Sequence, residues 1–301
     1  MKFFYSDTHD LNLPKGHRFP GSKYGMLRKA LLEENVLHEK QLSMSPLADD
    51  ATLHLAHDPA YVSAIENGSI DAKEMRRIGL PWSPHVAKRA RATMGGAVAA
   101  ARCAMTDGLS GQLAGGTHHA HYDFGSGYCI YNDFACAALA LLNDGTAARI
   151  AIIDLDVHQG DGNASILGPR EDVFVFSMHG EKNFPFRKIA SDLDVGLPDG
   201  TTDDAYIAAL EKALPTALAF NPDIILYQAG VDPLAEDSLG RMNLTHQGLM
   251  QRDRIIFNAC RSNNIPVSMA IGGGYAKPIE KTVEAYVNTY RAAKEIYNFQ
   301  A

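Results

Sequence analysis

Along this chain, short apolar runs closed by polar or glycine-bearing turns alternate with longer stretches of mixed character. The short runs predict strands at Lys2–Tyr5, Gly111–Ala114, Ile150–Asp154, Val173–Met178, Ile224–Gln228 and Val267–Ile271. The longer stretches predict helices at Tyr24–Glu34, Pro59–Asn67, Ser83–Asp107, Asn132–Asn143, Asp203–Phe220, His246–Ser262 and Ile279–Tyr297. Ser83 is a fair N-cap with Pro84 in the first turn behind it. Asn221-Pro222 ends one helix, His17 to Lys23 is an irregular loop, and Gly79 to Pro84 breaks the chain. Apolar strands alternating with helices predict an α/β fold of three layers, with a mostly parallel central sheet covered by helices on both faces. No repeat, low-complexity tract or linker interrupts the pattern, so residues 1–301 are expected to form a single domain.

In sheets of this kind ligands gather beyond the carboxyl ends of the strands. Four chemically suggestive clusters follow predicted strands: Gly115-Gly116-Thr117-His118-His119, Asp154-Leu155-Asp156-Val157-His158, Ala229-Gly230-Val231-Asp232 and Gly272-Gly273-Gly274-Tyr275. The second is the most telling. Extended backbone puts residues i, i+2 and i+4 on one face, so Asp154, Asp156 and His158 should converge at the end of a buried strand. Burying all three without a partner would be very costly. A hydrogen-bonded Asp–His pair is one resolution; a bound cation is the simpler one, and Asp with His suits zinc or a similar divalent metal. The glycine-bearing continuation Gln159-Gly160-Asp161-Gly162-Asn163 favours the ligand.

Composition narrows the class. With 46% hydrophobic and 21% charged residues in 301, this is an ordinary globular chain, long enough for a large core. A net charge of −7 argues against broad nucleic-acid binding and is compatible, weakly, with a cationic substrate. No run of apolar residues is long enough to span a membrane, and the N-terminal segment lacks the apolar stretch of a signal peptide. Cys103, Cys129, Cys136 and Cys260 form no C-x-x-C pair and read as reduced residues of a cytoplasmic protein.

Taken together, the motifs resemble those of the histone deacetylase superfamily: G-G-T-H-H-A at 115–120, D-L-D-V-H-Q-G-D-G at 154–162, A-G-V-D at 229–232 and G-G-G-Y at 272–275. Their order and spacing agree, and the resemblance runs from the His17-Arg18-Phe19-Pro20 loop to the last helix. Gly79-Leu80-Pro81-Trp82-Ser83 and Asp237-Ser238-Leu239-Gly240 further resemble the class IV branch and its bacterial relatives. The resemblance implies an arginase/deacetylase-like fold and one catalytic zinc held by Asp156, His158 and Asp232. It implies that His118 and His119 flank the reacting water, paired with Asp154 and Asp161 respectively. Tyr275 would donate a hydrogen bond to the substrate carbonyl. Tyr128 and Phe184 would wall an acyl-lysine channel, with Gly127 at its narrow floor. A structural potassium would sit near Asp154, Asp156, His158, Ser177 and Met178. Lys23 stands where some relatives place an arginine of the inner pocket.

The residue chemistry agrees with that reading. Two carboxylates and one imidazole leave a coordination position open, as catalytic zinc requires. Two anionic ligands blunt the metal's effect on water, so a protein base beside it helps; His119 is the candidate base and later acid, with His118 electrostatic. Leu239 lies seven residues after Asp232, where the related polyamine deacetylases carry an acidic gatekeeper. A leucine there favours acyl-lysine of a protein or peptide over acetylpolyamines or other small acylated amines. Many relatives also carry a rim aspartate, and Ile78-Gly79-Leu80-Pro81-Trp82 has no acid. A dinuclear ureohydrolase would need further carboxylates, yet Gly160 follows His158 by two and Pro233-Leu234 follow Asp232. A non-catalytic acyl-lysine-binding module would be expected to have lost Tyr275 or a histidine, and all are present.

Overall fold

The computed structural model describes residues 1–299. Eight strands form one sheet: β1 (Phe3–Tyr5), β2 (Leu42–Met44), β3 (Leu109–Gln112), β4 (Ile150–Asp154), β5 (Val173–Gly180), β6 (Leu193–Leu197), β7 (Ile224–Gln228) and β8 (Val267–Ala270). Their order is β2-β1-β3-β8-β7-β4-β5-β6, and every pairing is parallel. Ten α-helices surround them: α1 (Lys23–Glu33), α2 (Asp50–Ala56), α3 (Pro59–Asn67), α4 (Ala72–Ile78), α5 (Pro84–Asp107), α6 (Asp133–Asn143), α7 (Asp161–Leu167), α8 (Asp203–Ala219), α9 (His246–Ser262) and α10 (Glu280–Tyr297).

The central strands read as apolar throughout because both of their faces are covered. Ala151 and Ile153 of β4 enter one core with Ile225 and Tyr227 of β7, while Ile150 and Ile152 enter the other with Ile224 and Leu226. Helices α1, α10, α9 and α8 pack in succession on the first face, and α5 packs on α6 on the second. Ser83 caps α5 by accepting from the Val86 N–H at 3.2 Å, with Pro84 behind it.

Differences from the sequence expectation lie where periodicity is weak. The predicted strand Gly111–Ala114 is placed two residues earlier, at Leu109–Gln112, because Leu113 and Ala114 already turn toward the glycine loop. Strands β2 and β6 were not expected; they are the two edges, covered on one side only, and Asp194 and Gly196 interrupt the apolar run of β6. Helices α2, α4 and α7 are seven residues each, too short to show a period.

His57, fully buried at the end of α2, ties the second core to the site loops. The Asn132 N–H donates to its Nε2 at 2.8 Å, so Nδ1 carries the proton and donates to the His121 carbonyl at 2.9 Å. Burial lowers its pKa from 6.5 to about 4, against the pull of the backbone carbonyls. The unfolded chain therefore binds the proton first. The His57 contribution is intact above about pH 6.5 and is lost as the pH falls toward about 4, a change of about 3 kcal/mol. Urea midpoints measured across this window should fall, and His57→Gln should flatten the slope; an unchanged slope in the variant would refute the assignment.

Candidate active site and metal centre

The carboxyl ends of β3, β4, β7 and β8 meet at one place, and each delivers one of the motif clusters. Beyond Asp154 the strand ladder ends but the alternation continues. Leu155 and Val157 stay in the core, while Asp154, Asp156 and His158 turn to the opposite side. Side-chain-to-backbone bonds replace the ladder: the Asp156 N–H donates to Asp154 Oδ1 at 3.2 Å and the His158 N–H to Asp156 Oδ1 at 3.0 Å.

The three do not end on one point. Asp156 and His158 join Asp232, and ligand atoms of these three buried residues lie within 4.8 Å of one another. His158 Nδ1 is 3.0 Å from both Asp156 Oδ1 and Asp232 Oδ2. Asp154 instead accepts from His118 Nδ1 at 2.7 Å. The remaining carboxylate oxygens are fixed by backbone donors, Asp156 Oδ2 by the Gly273 N–H at 2.7 Å and Asp232 Oδ1 by the Val157 N–H at 2.9 Å. Gly273 has no room for a side chain, since a Cβ would stand 2.0 Å from Asp232 Oδ2.

The electrostatics follow from this crowding. Burial and the Asp156 charge push the Asp232 carboxyl up to about 7, against the pull of His158. Asp156 stays well below the usual carboxylate range despite burial, because His118 and His158 face it. Burial alone would depress His158, yet its bonds to Asp156 and Asp232 lift it to about 10. Two carboxylates thus compete for one positive charge at a single buried point. That donor set, two oxygens and one imidazole nitrogen, fits zinc and leaves a position open. This is the only such cluster of ligating residues among the described residues, so a dinuclear centre has no second set of ligands.

Two histidine–carboxylate pairs stand beside it. His118 and His119 lie with ring centroids 4.1 Å apart. Burial works against charge on His118, but Asp154 and Asp156 outweigh it and raise its pKa to about 9. His119 donates from Nδ1 to Asp161 Oδ1 at 2.6 Å, yet burial and the neighbouring His118 charge lower it to about 4. The surroundings therefore favour positive charge on His118 and disfavour it on His119. Asp161 also accepts from His121 Nε2 at 3.2 Å, and these two bonds hold it well below the usual carboxylate range despite burial.

The cluster floors a cavity of about 520 Å³. Tyr128, Phe184, Gly127, Leu239 and Tyr275 all line it. Phe184 meets His119 edge-on at 4.9 Å, and Tyr128 lies 6.0 Å from Tyr275. Gly127 has φ +53°, and a Cβ there would stand 2.6 Å from His119 Cδ2, so the wall is tight against the imidazole. Leu239 is 44% exposed at the mouth, its carbonyl accepting from Asn183 Nδ2 at 2.9 Å. Lys23 lies beneath the wall rather than in it. Its Nζ sits 4.7 Å from the Tyr275 ring centroid and donates to the Gly274 carbonyl at 3.0 Å and Tyr286 Oη at 3.1 Å. Burial pulls that lysine down to about 8, against Asp232 and Asp237. Ser177 pairs with Asp154 across β4 and β5, with Met178 next to it, and Ser177 Oγ bonds His179 Nδ1 at 3.0 Å.

Several supporting residues were given no role by the motifs. Asp133 ties the Gly115–His119 turn by accepting from the Gly116 and Thr117 N–H groups, both at 2.8 Å. Asp237 accepts from the Tyr275 N–H at 2.6 Å and from the Leu239 N–H at 2.8 Å, joining two walls. Arg252, fully buried, donates from Nη1 to the Leu155 carbonyl at 3.3 Å and to the Gly230 carbonyl, bracing the loops that carry Asp156 and Asp232. A signal for Arg252 exists: it falls on the apolar stripe of α9, between Leu249 and Ile256.

A family model described as the histone deacetylase domain matches residues 17–290. An uncharacterized protein of Picosynechococcus sp. is 45% identical over 97% of this chain and 98% of its own length. Histone deacetylase 2 of Arabidopsis thaliana is 30% identical, covering 94% of this chain and 76% of that protein. Among solved structures, an HDAC homolog complexed with SAHA superposes with a TM-score of 0.81 at 26% identity, over 99% of this chain and 88% of that one.

Proposed function

The chain belongs to the histone deacetylase family, and on that premise we propose that it hydrolyses the amide of Nε-acyl-lysine in proteins or peptides, using one zinc ion. One observation carries the reading. The buried Asp156–His158–Asp232 cluster lies beside two histidine–carboxylate pairs, His118–Asp154 and His119–Asp161, at the floor of an aromatic channel.

When bound by Asp156, His158 and Asp232, zinc supplies Lewis acidity toward water and the amide carbonyl. The protein residues do the rest. Neutral His119, its tautomer set by Asp161, accepts the proton of the attacking water and returns it to the leaving amine. The C–N bond breaks, giving a carboxylate and free lysine with no covalent enzyme intermediate. His118, held cationic by Asp154, stabilises the negative charge that grows on the oxygen. The Tyr275 hydroxyl donates to the same oxygen as its charge develops. Tyr128 and Phe184 flank the alkyl chain of the substrate, and Gly127 gives it room. Potassium near Asp154, Asp156, His158, Ser177 and Met178 is part of this proposal, as are a cytoplasmic location and the class IV affinity of the 79–83 and 237–240 segments.

Neutral Leu239 favours acyl-lysine over acetylpolyamines, whose second ammonium would find no acid at the mouth. The test is kcat/KM on one peptide bearing acetyl-, octanoyl- or myristoyl-lysine, beside acetylputrescine and acetylspermidine, with zinc and with a chelator. Chelator-sensitive turnover of the peptides is expected; preference for the polyamines would overturn the substrate assignment. Tyr275→Phe should lower kcat about 10²–10³-fold with zinc content retained. A kcat within a few-fold of the parent would remove Tyr275 from the mechanism.

A further inference from the structure

The mouth of the channel has a charge opposite to that of the chain. Net charge is −7, yet the charged residues lining the outer cavity are Arg77, Lys182 and Arg241. The one acid in the lining, Asp156, is 1% exposed at the floor. The three cations come from separate elements: Arg77 from the last turn of α4, Lys182 from the loop after β5, Arg241 from the loop between β7 and α9. Arg77 is aimed by stacking 4.5 Å over the Phe124 ring, which itself lies flat on His121. Lys182 makes no ion pair among the described residues. Arg241 has one long pair, to Asp199 at 3.4 Å. Around them stand two apolar side chains, Phe186 at 83% exposure and Leu239 at 44%.

We propose that this mouth selects an acidic protein segment, in which the acyl-lysine is flanked by aspartate or glutamate. The proposal rests on the acyl-lysine reading of the same site and adds the substrate's charge. A cationic substrate, which the overall acidity of the chain would suit, meets three like charges at the entrance. An anionic one is steered to the channel by the field of the rim. A protein segment fits better than a small amide because Phe186, 83% exposed, adds apolar contact surface beyond the channel walls that a small acylated amine leaves unused.

The experiment is a binding titration with zinc-loaded protein and fluorescent peptides sharing one acyl-lysine, with acidic, neutral or basic flanks. The acidic peptide should bind about tenfold tighter than the basic one at about 0.02 M salt, and the gap should close near 0.3 M. Lys182→Glu combined with Arg241→Glu should reverse the order within the same protein sample. Equal affinities, or a ratio the charge reversal leaves unmoved, would overturn the proposal. So would an acidic peptide lacking the acyl group that binds as tightly, or equal selection of a single acyl-lysine residue by its own carboxylate. Turnover of the same peptides is scored separately. Charge-ordered binding without hydrolysis sinks the deacylase reading alone, and hydrolysis without charge order sinks this one alone.

Discussion

Asp232→Asn is expected to lose zinc and to lower kcat/KM by at least about a thousandfold, because zinc moves the acidity of bound water over about 9 pKa units. The fold should survive. Asparagine keeps an oxygen for the Val157 N–H, which Asp232 Oδ1 accepts at 2.9 Å. The lost carboxylate is also one that burial and Asp156 disfavour, pushed up to about 7. Removing it relieves like-charge crowding in the metal-free protein. Metal content after gel filtration, thermal midpoint without metal and kcat/KM together check the claim. A variant that keeps stoichiometric zinc would show that Asp232 serves structure rather than the metal. A variant that loses both zinc and fold would show that the cluster is a structural ion pair.

His119→Asn should lower kcat about 10²–10⁴-fold while zinc content stays unchanged. His119 makes no hydrogen bond to the Asp156–His158–Asp232 cluster and meets only the His158 ring edge-on at 5.9 Å; its Nδ1 is spent on Asp161, which leaves Nε2 for the substrate side. The pH profile is the sharper readout. A base must be neutral to work, and burial together with His118 keeps the His119 pKa below its ordinary value. The parent rate should therefore fall as the pH drops through that pKa, and the variant should lack this acid limb. Retention of the limb in the variant would assign the base to another group, with His118 the first alternative.

The sequence made the candidate site at the carboxyl end of the sheet readable because its groups sit in short runs after apolar strands. Alternation through Asp154, Asp156 and His158 predicted a common side correctly. It did not predict which of the three would leave the group. That choice depends on His118, 36 residues away in sequence, which draws Asp154 to itself. Asp133, Asp237 and His121 act through backbone or carboxylate contacts that only the folded chain brings together. The edge strands β2 and β6 stayed hidden because an edge is half-exposed and carries no continuous apolar run. Arg252 was legible in principle, as a charge on an apolar stripe, but its partners were not.

The division of labour between strand ends and loops has an evolutionary reading. Asp156, His158, Asp232 and Tyr275, the residues of the proposed chemistry, follow central strands that are buried on both faces, and Arg252 braces the loops that carry Asp156 and Asp232, so drift there disturbs the sheet as well as the site. Arg77, Lys182, Leu239 and Arg241 ride at a helix end and on loops, and none of these four side chains belongs to either core. A lineage can therefore exchange its clientele by rewriting these rim side chains alone, and point substitutions that leave the neighbouring core residues Leu234, Met242 and Leu244 in place are the natural route to retargeting this scaffold.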